Sequence, residues 1–404
     1  MERCPVRPDP ADAALFDADY QRDPYPSYAR LRAVSPVRYL TLPTGLTAWL
    51  VTGYEEVRQA LTDPLLSKES RYDAESTDGL SPSMGASMLN LDPPDHDRLR
   101  RLVGSAFTRR RMDALHDKLA DSADRLIDEF AARGQADLMR DFALRLPVGM
   151  IGELLGVPEE DRDAFFELAH DYVGFTPETR ERAAAALAGL NEYMAKLIAA
   201  KKNEPGDDLI SAMVEARDQE QRLTDEELLA NALLLFLAGH VTTAGLIANA
   251  TLALLRHPEQ LAAFRANPDL VGNLVEEALR FEGPAELSTM RWAKQDTVIG
   301  GVAVGKGERV LVSLGAANRD PRRFTDPDAF DLSRADANQH LGLGHGSHYC
   351  LGAQLARVEV RTALGRLFAR LPDLRLAARY ADLEWMPGIG RAPLSLPIVF
   401  TPEG

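Results

Sequence analysis

The chain has 404 residues, 45% hydrophobic and 26% charged, and 46 Lys+Arg against 61 Asp+Glu give a formal charge of −15. This is the profile of a globular protein, and its acidity argues against nucleic acid or an anionic membrane as the main partner. The cysteines, Cys4 and Cys350, are too few for a disulfide framework, which suits a reducing cytoplasm. The N-terminal stretch MERCPVRPDPADAALF lacks an apolar run of the signal or anchor type.

In chain order, Pro36–Tyr39 and Ala48–Val51 read as a short hairpin, followed by a helix over Tyr54–Thr62. Asp63–Asn90, rich in Ser, Asp, Gly and Pro, reads as a long loop of the kind that covers a site. Apolar spacing at i, i+3, i+4 then predicts helices over Asp95–Ala106, Arg111–Ala132, Leu144–Leu155, Glu159–Val173, Pro177–Lys201, Asp208–Asp218 and Asp225–Leu255. The polar break Asn203–Asp208 supplies an N-cap at Asp207 or Asp208. Leu228–Leu255 is the most apolar stretch, but His240 and glycines interrupt it, so no membrane span is expected. Near Glu282–Leu314 the period changes to two, and TVIGGVAVGKGERVLVSL reads as a hairpin with glycine turns. A helix over Ala353–Leu367 and a strand-like stretch over Leu394–Phe400 follow. No linker demands separate domains. The expectation is one mainly α domain over residues 1–404, a large helical body with a small β-rich lobe.

The most informative segment is Leu341–Arg357, LGLGHGSHYCLGAQLAR. Glycines at Gly342, Gly344 and Gly346 precede Cys350, and Gly352 follows it. Such a run lets backbone turn sharply and approach a large flat ligand. A thiolate carried from the loop to the start of a helix gains from the N-terminal dipole and nearby N–H groups. A soft axial sulfur is also what a haem iron needs to favour O–O cleavage. The competing reading is a buried cysteine acting as a small hydrophobe.

The segment closely resembles the haem-binding loop of the cytochrome P-450 family, F-G-x-G-x-[HR]-x-C-x-G. Gly344, Gly346, His348, Cys350 and Gly352 match, and Leu343 stands where the family usually has Phe. The resemblance runs over about residues 15–400 and is strongest to soluble actinobacterial members that tailor secondary metabolites. It implies the family's fold, with haem between the Thr242 helix and the Cys350 helix. It also implies haem b as cofactor and Cys350 as the ligand to its iron.

Three further constellations fit that frame. Glu277 and Arg280, spaced i, i+3 in VEEALR, share a helix face, and Arg334 lies between them and the cysteine. They resemble the family's E-x-x-R pair with its later arginine, a structural network. In LDPPDHDRLR, His96 and Arg100 are spaced i, i+4. With Arg291 and His348 they fall at positions that contact the haem propionates in the family. In FLAGHVTTAG, the segment A-G-x-[DE]-T is matched by Ala238, Gly239 and Thr242, the threonine that steadies dioxygen in the family. A mid-helix threonine also commonly bonds back to the i−4 carbonyl. Val241 occupies the position of the acid that helps relay protons; His240 beside it reads as a structural or exposed histidine.

Substrate is then expected above the haem. The candidate walls are Leu65–Leu89, Phe165–Phe175, Leu233–Leu237, Pro284–Met290 and Trp385–Arg391, with Met84, Met88, Leu233, Phe236, Leu237 and Leu287 as lining residues. Ordinary core packing explains such apolar residues equally well. Arg98, Arg101, Arg109, Arg110 and Arg111, with Arg357 and Arg361, form a candidate basic patch for an acidic electron carrier. The expected protein is a cytoplasmic monomer. It would oxidise a small organic metabolite, by hydroxylation or epoxidation, with O2 and electrons from ferredoxin and ferredoxin reductase. The alternatives are oxidative C–C or C–O coupling of aromatic rings, and a non-catalytic haem sensor or carrier-docking module.

Overall fold

A computed structural model describes residues 18–42, 45–73, 84–173, 180–216, 222–386, 388 and 390–402. In chain order its helices are α1 (Ala18–Arg22), α2 (Tyr25–Val34), α3 (Tyr54–Thr62), α4 (Asp95–Ser105), α5 (Arg109–Ala131), α6 (Arg145–Leu155) and α7 (Arg162–Val173). They continue as α8 (Arg180–Asn203), α9 (Leu209–Glu215), α10 (Asp225–Arg256), α11 (Pro258–Ala266), α12 (Val271–Phe281), α13 (Leu314–Asn318) and α14 (Ala353–Arg370). The strands are β1 (Val37–Thr41), β2 (Thr47–Val51), β3 (Leu66–Ser67), β4 (Gln135–Asp137), β5 (Arg291–Ala293), β6 (Thr297–Ile299), β7 (Val302–Val304), β8 (Arg309–Val312), β9 (Arg375–Leu376) and β10 (Pro397–Val399). Helix dominates, with small sheets beside it.

Contacts divide the chain into two units. One comprises Met1–Gly79, Glu276–Cys350 and Pro387–Arg391. Its sheet has the order β1-β2-β8-β5-β3, in which β2 and β8 run parallel and the other neighbours antiparallel. Val37, Val51, Val57, Leu66, Val310 and Val312 meet there in a core with Tyr54 and Phe324. β-Branched side chains suit such a pleated, buried surface.

The other unit comprises Leu80–Val275, Leu351–Met386 and Ala392–Gly404. α10 runs through it for 32 residues, about 48 Å at 1.5 Å per residue. Its start is fixed by a capping box: the Thr224 hydroxyl accepts from the Glu227 amide at 3.2 Å, and the Glu227 carboxylate accepts from the Thr224 amide at 2.8 Å. α6, α8 and α14 pack on α10, and α14 also packs along α5. Among the described residues α10 alone is long and apolar enough to cross a membrane, and most of that stretch is buried inside the protein. A three-stranded sheet, β4-β10-β9, completes the unit.

Several elements differ from the sequence reading. Asp63–Asn90 is not wholly loop: Leu66–Ser67 forms β3 against β5, and Met88–Asn90 makes a 3-10 turn. A two-residue strand is too short to leave a period. TVIGGVAVGKGERVLVSL is not one hairpin. β6 and β7 pair with each other, whereas β8 pairs with β2 and β5 instead. The short helices α1, α2 and α11 carry no strong apolar stripe and escape the periodicity argument. The expected start at Pro177 and end at Asp218 lie outside the described residues, as do parts of the candidate walls Leu65–Leu89, Phe165–Phe175 and Trp385–Arg391.

Candidate active site

Cys350 is half-buried and closes a loop whose backbone bonds are local. Its amide donates to the Leu343 carbonyl at 2.9 Å, and the Gly344 amide donates to the Leu341 carbonyl at 2.8 Å. The loop is tied down upstream. The Leu341 amide donates to Asn318 Oδ1 at 2.7 Å, and the Gly342 amide to His340 Nδ1 at 3.0 Å. With Nδ1 accepting, the other ring nitrogen of His340 carries the proton and donates to Glu276 at 3.2 Å. Two glycines are demanded by the protein itself. A Cβ at Gly342 would lie 2.8 Å from the Leu279 carbonyl oxygen, and Gly346, at φ +75°, lies against Leu61 and Thr62 of α3. Gly352 differs: a Cβ there would meet nothing within 4 Å, so the glycine leaves open space at the N-cap of α14. α14 begins three residues after Cys350, at Ala353.

α10 supplies the second part. Along a helix that is otherwise mostly buried, Ala238 and Thr242 are exposed, four residues apart on one face, with Leu237 and Val241 half-buried beside them. The Thr242 hydroxyl donates to the Ala238 carbonyl at 2.7 Å, and the Thr243 hydroxyl to the Gly239 carbonyl at 2.8 Å. An added Cβ at Gly239 would meet Ile151 of α6 at 3.5 Å, so its near neighbour within this unit is α6. His240 is fully buried, stacked on Phe236 with ring centroids 4.3 Å apart. Burial pushes it down to about 4, so the ring is neutral near pH 7. Its Nδ1 lies 2.6 Å from the Phe236 carbonyl and must be the protonated nitrogen, because a carbonyl only accepts. His240 is therefore a structural, buried histidine, not an exposed one.

Of the candidate propionate contacts, His96 and Arg100 stand on α4. His96 is buried, with Nδ1 2.8 Å from Asp97 Oδ1. Arg291, also buried, begins β5 and donates to Ser288 Oγ at 2.7 Å; His348 is half-buried two residues before Cys350. The structural network is closely drawn. Glu277 and Arg280 are both fully buried and joined by two 2.8 Å bonds. Arg280 also donates to the carbonyls of Asn318, Pro327 and Ala329 at 3.0, 2.7 and 2.8 Å. Arg334 reaches Glu277 at 3.2 Å. A buried ion pair is tolerable when its remaining donors and acceptors are satisfied in this way.

The apolar candidates separate by exposure. Leu233 and Phe236 are 0% exposed, packed in the helical core with Phe165, Leu190 and Met194. Met88 is buried too, its amide bonded to Asn231 Oδ1 at 3.1 Å. Leu287 is buried among Tyr20, Tyr25, Tyr28 and Leu31. Met84 and Leu237 remain half-buried. Three arginines of the basic patch pair with acids distant in sequence. Arg98 pairs with Glu227, and Arg110 and Arg111 pair with Asp207.

Sequence reasoning missed a second buried polar network. Glu282, Glu286 and Arg391 form it with Tyr20, Tyr25 and Tyr28, residues far apart in the chain with no shared motif. Glu359, fully buried on α14, was also missed; burial pushes its carboxyl up to about 8.

The family model described as Cytochrome P450 matches residues 148–371. Over 399 residues the chain is 44% identical to cytochrome P450 107B1 of Saccharopolyspora erythraea, covering 95% of this chain and 97% of that protein. It is 44% identical over 379 residues to the cytochrome P450 monooxygenase PikC of Streptomyces venezuelae, covering 93% of this chain and 90% of the relative. A solved myxobacterial cytochrome P450, in complex with myristic acid, matches with a TM-score of 0.88 and 40% identity, covering 96% of this chain and 98% of the other.

Proposed function

The chain belongs to the cytochrome P450 family, and we propose that it hydroxylates or epoxidises a small organic secondary metabolite with electrons from a ferredoxin and its reductase. It is a P450 monooxygenase, an oxidoreductase of the haem-iron class resembling enzymes of secondary metabolism. The group it would carry is haem b, and its working form would be a cytoplasmic monomer. The whole chain is then a single catalytic domain. The observation that carries the reading is the Cys350 loop, closed by its own amide on Leu343 and leading directly into α14.

The residues present fit a haem. Gly352 leaves open space at the start of α14, and Ala238 and Thr242 present an uncovered strip on an otherwise buried helix. Cys350 would hold the iron through its sulfur, and His96, Arg100, Arg291 and His348 would hold the propionates. When bound, haem supplies a redox iron at which dioxygen is reduced with two electrons and two protons, one oxygen atom passing to the substrate. The chain's own contribution is to place and ration protons. Thr242 offers a hydroxyl on the uncovered strip, now donating to Ala238, that can turn to hold a water or a proton. Val241 neither carries nor relays one. His240 is neutral and its single N–H is committed to Phe236. Protons must therefore arrive through Thr242 with ordered water or through the substrate itself.

The valine at position 241 leaves room for a second reading, oxidative coupling of aromatic rings without oxygen insertion, since a phenolic substrate would itself bring a proton that Val241 cannot supply. A metabolite library screened for substrate-induced spectral shifts, followed by turnover under 18O-labelled dioxygen, tests the proposal. Label in the product supports hydroxylation or epoxidation. Unlabelled, dehydrogenated product supports coupling, and no coupled NAD(P)H use with any ligand would leave a haem-binding module.

A further inference from the structure

Glu286 lies within the candidate wall Pro284–Met290 and is only 5% exposed. One of its oxygens, Oε1, accepts from Tyr20 at 2.6 Å and from Tyr28 at 2.5 Å, and the two phenol oxygens are themselves 2.6 Å apart. The rings meet edge to face, centroids 5.7 Å apart at 78°. The backbone of the same residue is fixed as well. Its carbonyl accepts from the Gly315 amide at 3.0 Å, and the Ser288 amide donates to Val312 at 2.8 Å. The neighbouring wall is gripped by the same N-terminal helices. Glu282 accepts from Tyr25 at 3.0 Å and pairs with Arg391. Arg391 donates to the carbonyls of Gln21 and Arg22 at 2.8 Å each, and its amide donates to Pro284 at 2.8 Å.

Packing alone does not call for this arrangement. A carboxylate withdrawn from water is destabilising unless paired, and an apolar side chain of similar volume would fill the space without that cost. Arg391 pairs with Glu282 directly, whereas among the described residues the side chain of Glu286 is hydrogen-bonded by the two phenols. What two directional donors on one oxygen provide is position. Two residues further on, Ser288, Thr289 and Met290 are half-buried, the open part of the wall. Lys68 holds that part from another side, donating to Thr289 and, at 2.9 Å, to the Met290 carbonyl.

We propose that Glu286, clamped by Tyr20 and Tyr28, is a positioning residue that sets where Ser288–Met290 stand and so shapes the substrate space. The inference rests on the reading of Pro284–Met290 as a pocket wall. The test uses haem-loaded protein and two iron-binding probes, imidazole and the bulky azole clotrimazole, with Kd read from the spectral shift. Imidazole reports access to the iron; clotrimazole also reports the walls. In the Tyr20→Phe/Tyr28→Phe protein the clotrimazole Kd is expected to change by about fivefold or more, and the imidazole Kd by less than about twofold. Glu286→Gln, which keeps an acceptor oxygen for the phenols, should retain most of the wild-type clotrimazole affinity. Met290→Ala reports the wall itself. If it shifts clotrimazole binding while the double tyrosine variant does not, the clamp is overturned and the wall stands. If Met290→Ala has no effect, the wall reading fails and takes the proposal with it. Equal changes for both azoles would show general loosening and also overturn the proposal. Should the double variant fail to take up haem, Tyr28→Phe alone carries the same outcomes.

Discussion

Glu359→Gln should remove most of a pH dependence that the wild-type protein carries. The carboxyl is 3% exposed on α14, and burial raises it from the ordinary 4.5 to about 8. A group raised on folding keeps its proton in the native state after the unfolded chain has released it. Its stabilising contribution is complete below about pH 4.5 and is lost as pH rises through about 8. At about 1.36 kcal/mol per pH unit, the full loss is roughly 5 kcal/mol, and relaxation or water entry brings it to about 2–5 kcal/mol. Glutamine keeps the shape of the neutral acid and does not titrate. Urea unfolding of haem-loaded wild type and variant, from pH 5 to pH 9, measures the difference. The two should nearly coincide at pH 5 and diverge by pH 9, with the variant more stable. Parallel curves across that range would refute the reasoning, since they would mean that Glu359 titrates as an ordinary carboxylate.

Breaking the buried Glu277–Arg280 pair with Arg280→Met should cost about 3–5 kcal/mol, because the fully buried Glu277 loses its bidentate partner and keeps, among the described residues, only the longer contact to Arg334 as an ion pair. Thermal unfolding and haem content check this, and a loss below about 1 kcal/mol would show the network to be dispensable. Val241→Glu should raise coupling of electrons to product with generic substrates, seen as less hydrogen peroxide released per NAD(P)H consumed. A positioned proton donor typically contributes about 100- to 10,000-fold, and the new acid's pKa will be raised by partial burial, so the comparison should span pH 6 to 8. Unchanged peroxide release throughout would show that position 241 takes no part in proton delivery. Arg101→Glu, on the exposed side of α4, should slow reduction by ferredoxin and leave peroxide-driven turnover unchanged. Equal loss of both activities would point to damage to the fold instead.

How much of this was legible from sequence depends on how local each feature is. The Cys350 loop is contiguous, and its glycines have causes visible in the structure, such as the Leu279 carbonyl beside Gly342. Glu277 and Arg280 lie one turn apart on a helix, so spacing brings them together. Spacing fails on α10, which is apolar on nearly every face. Periodicity there cannot separate Leu233 and Phe236, buried in the core, from Ala238 and Thr242, which are exposed. It fails again for the arginine patch, whose partners Glu227 and Asp207 come from distant segments. Glu286 meets Tyr20 across 266 residues of chain, and only tertiary structure reveals that contact.

Cys350 as the thiolate ligand of a haem iron is the premise on which the proposed function stands. The most direct measurement is the absorbance of the dithionite-reduced carbon monoxide complex of wild type and Cys350→Ser. Wild type should show the red-shifted Soret band of a thiolate-ligated iron, and the serine variant should lack it while keeping some haem, because the propionate contacts do not depend on the sulfur. The same band in Cys350→Ser would contradict the account.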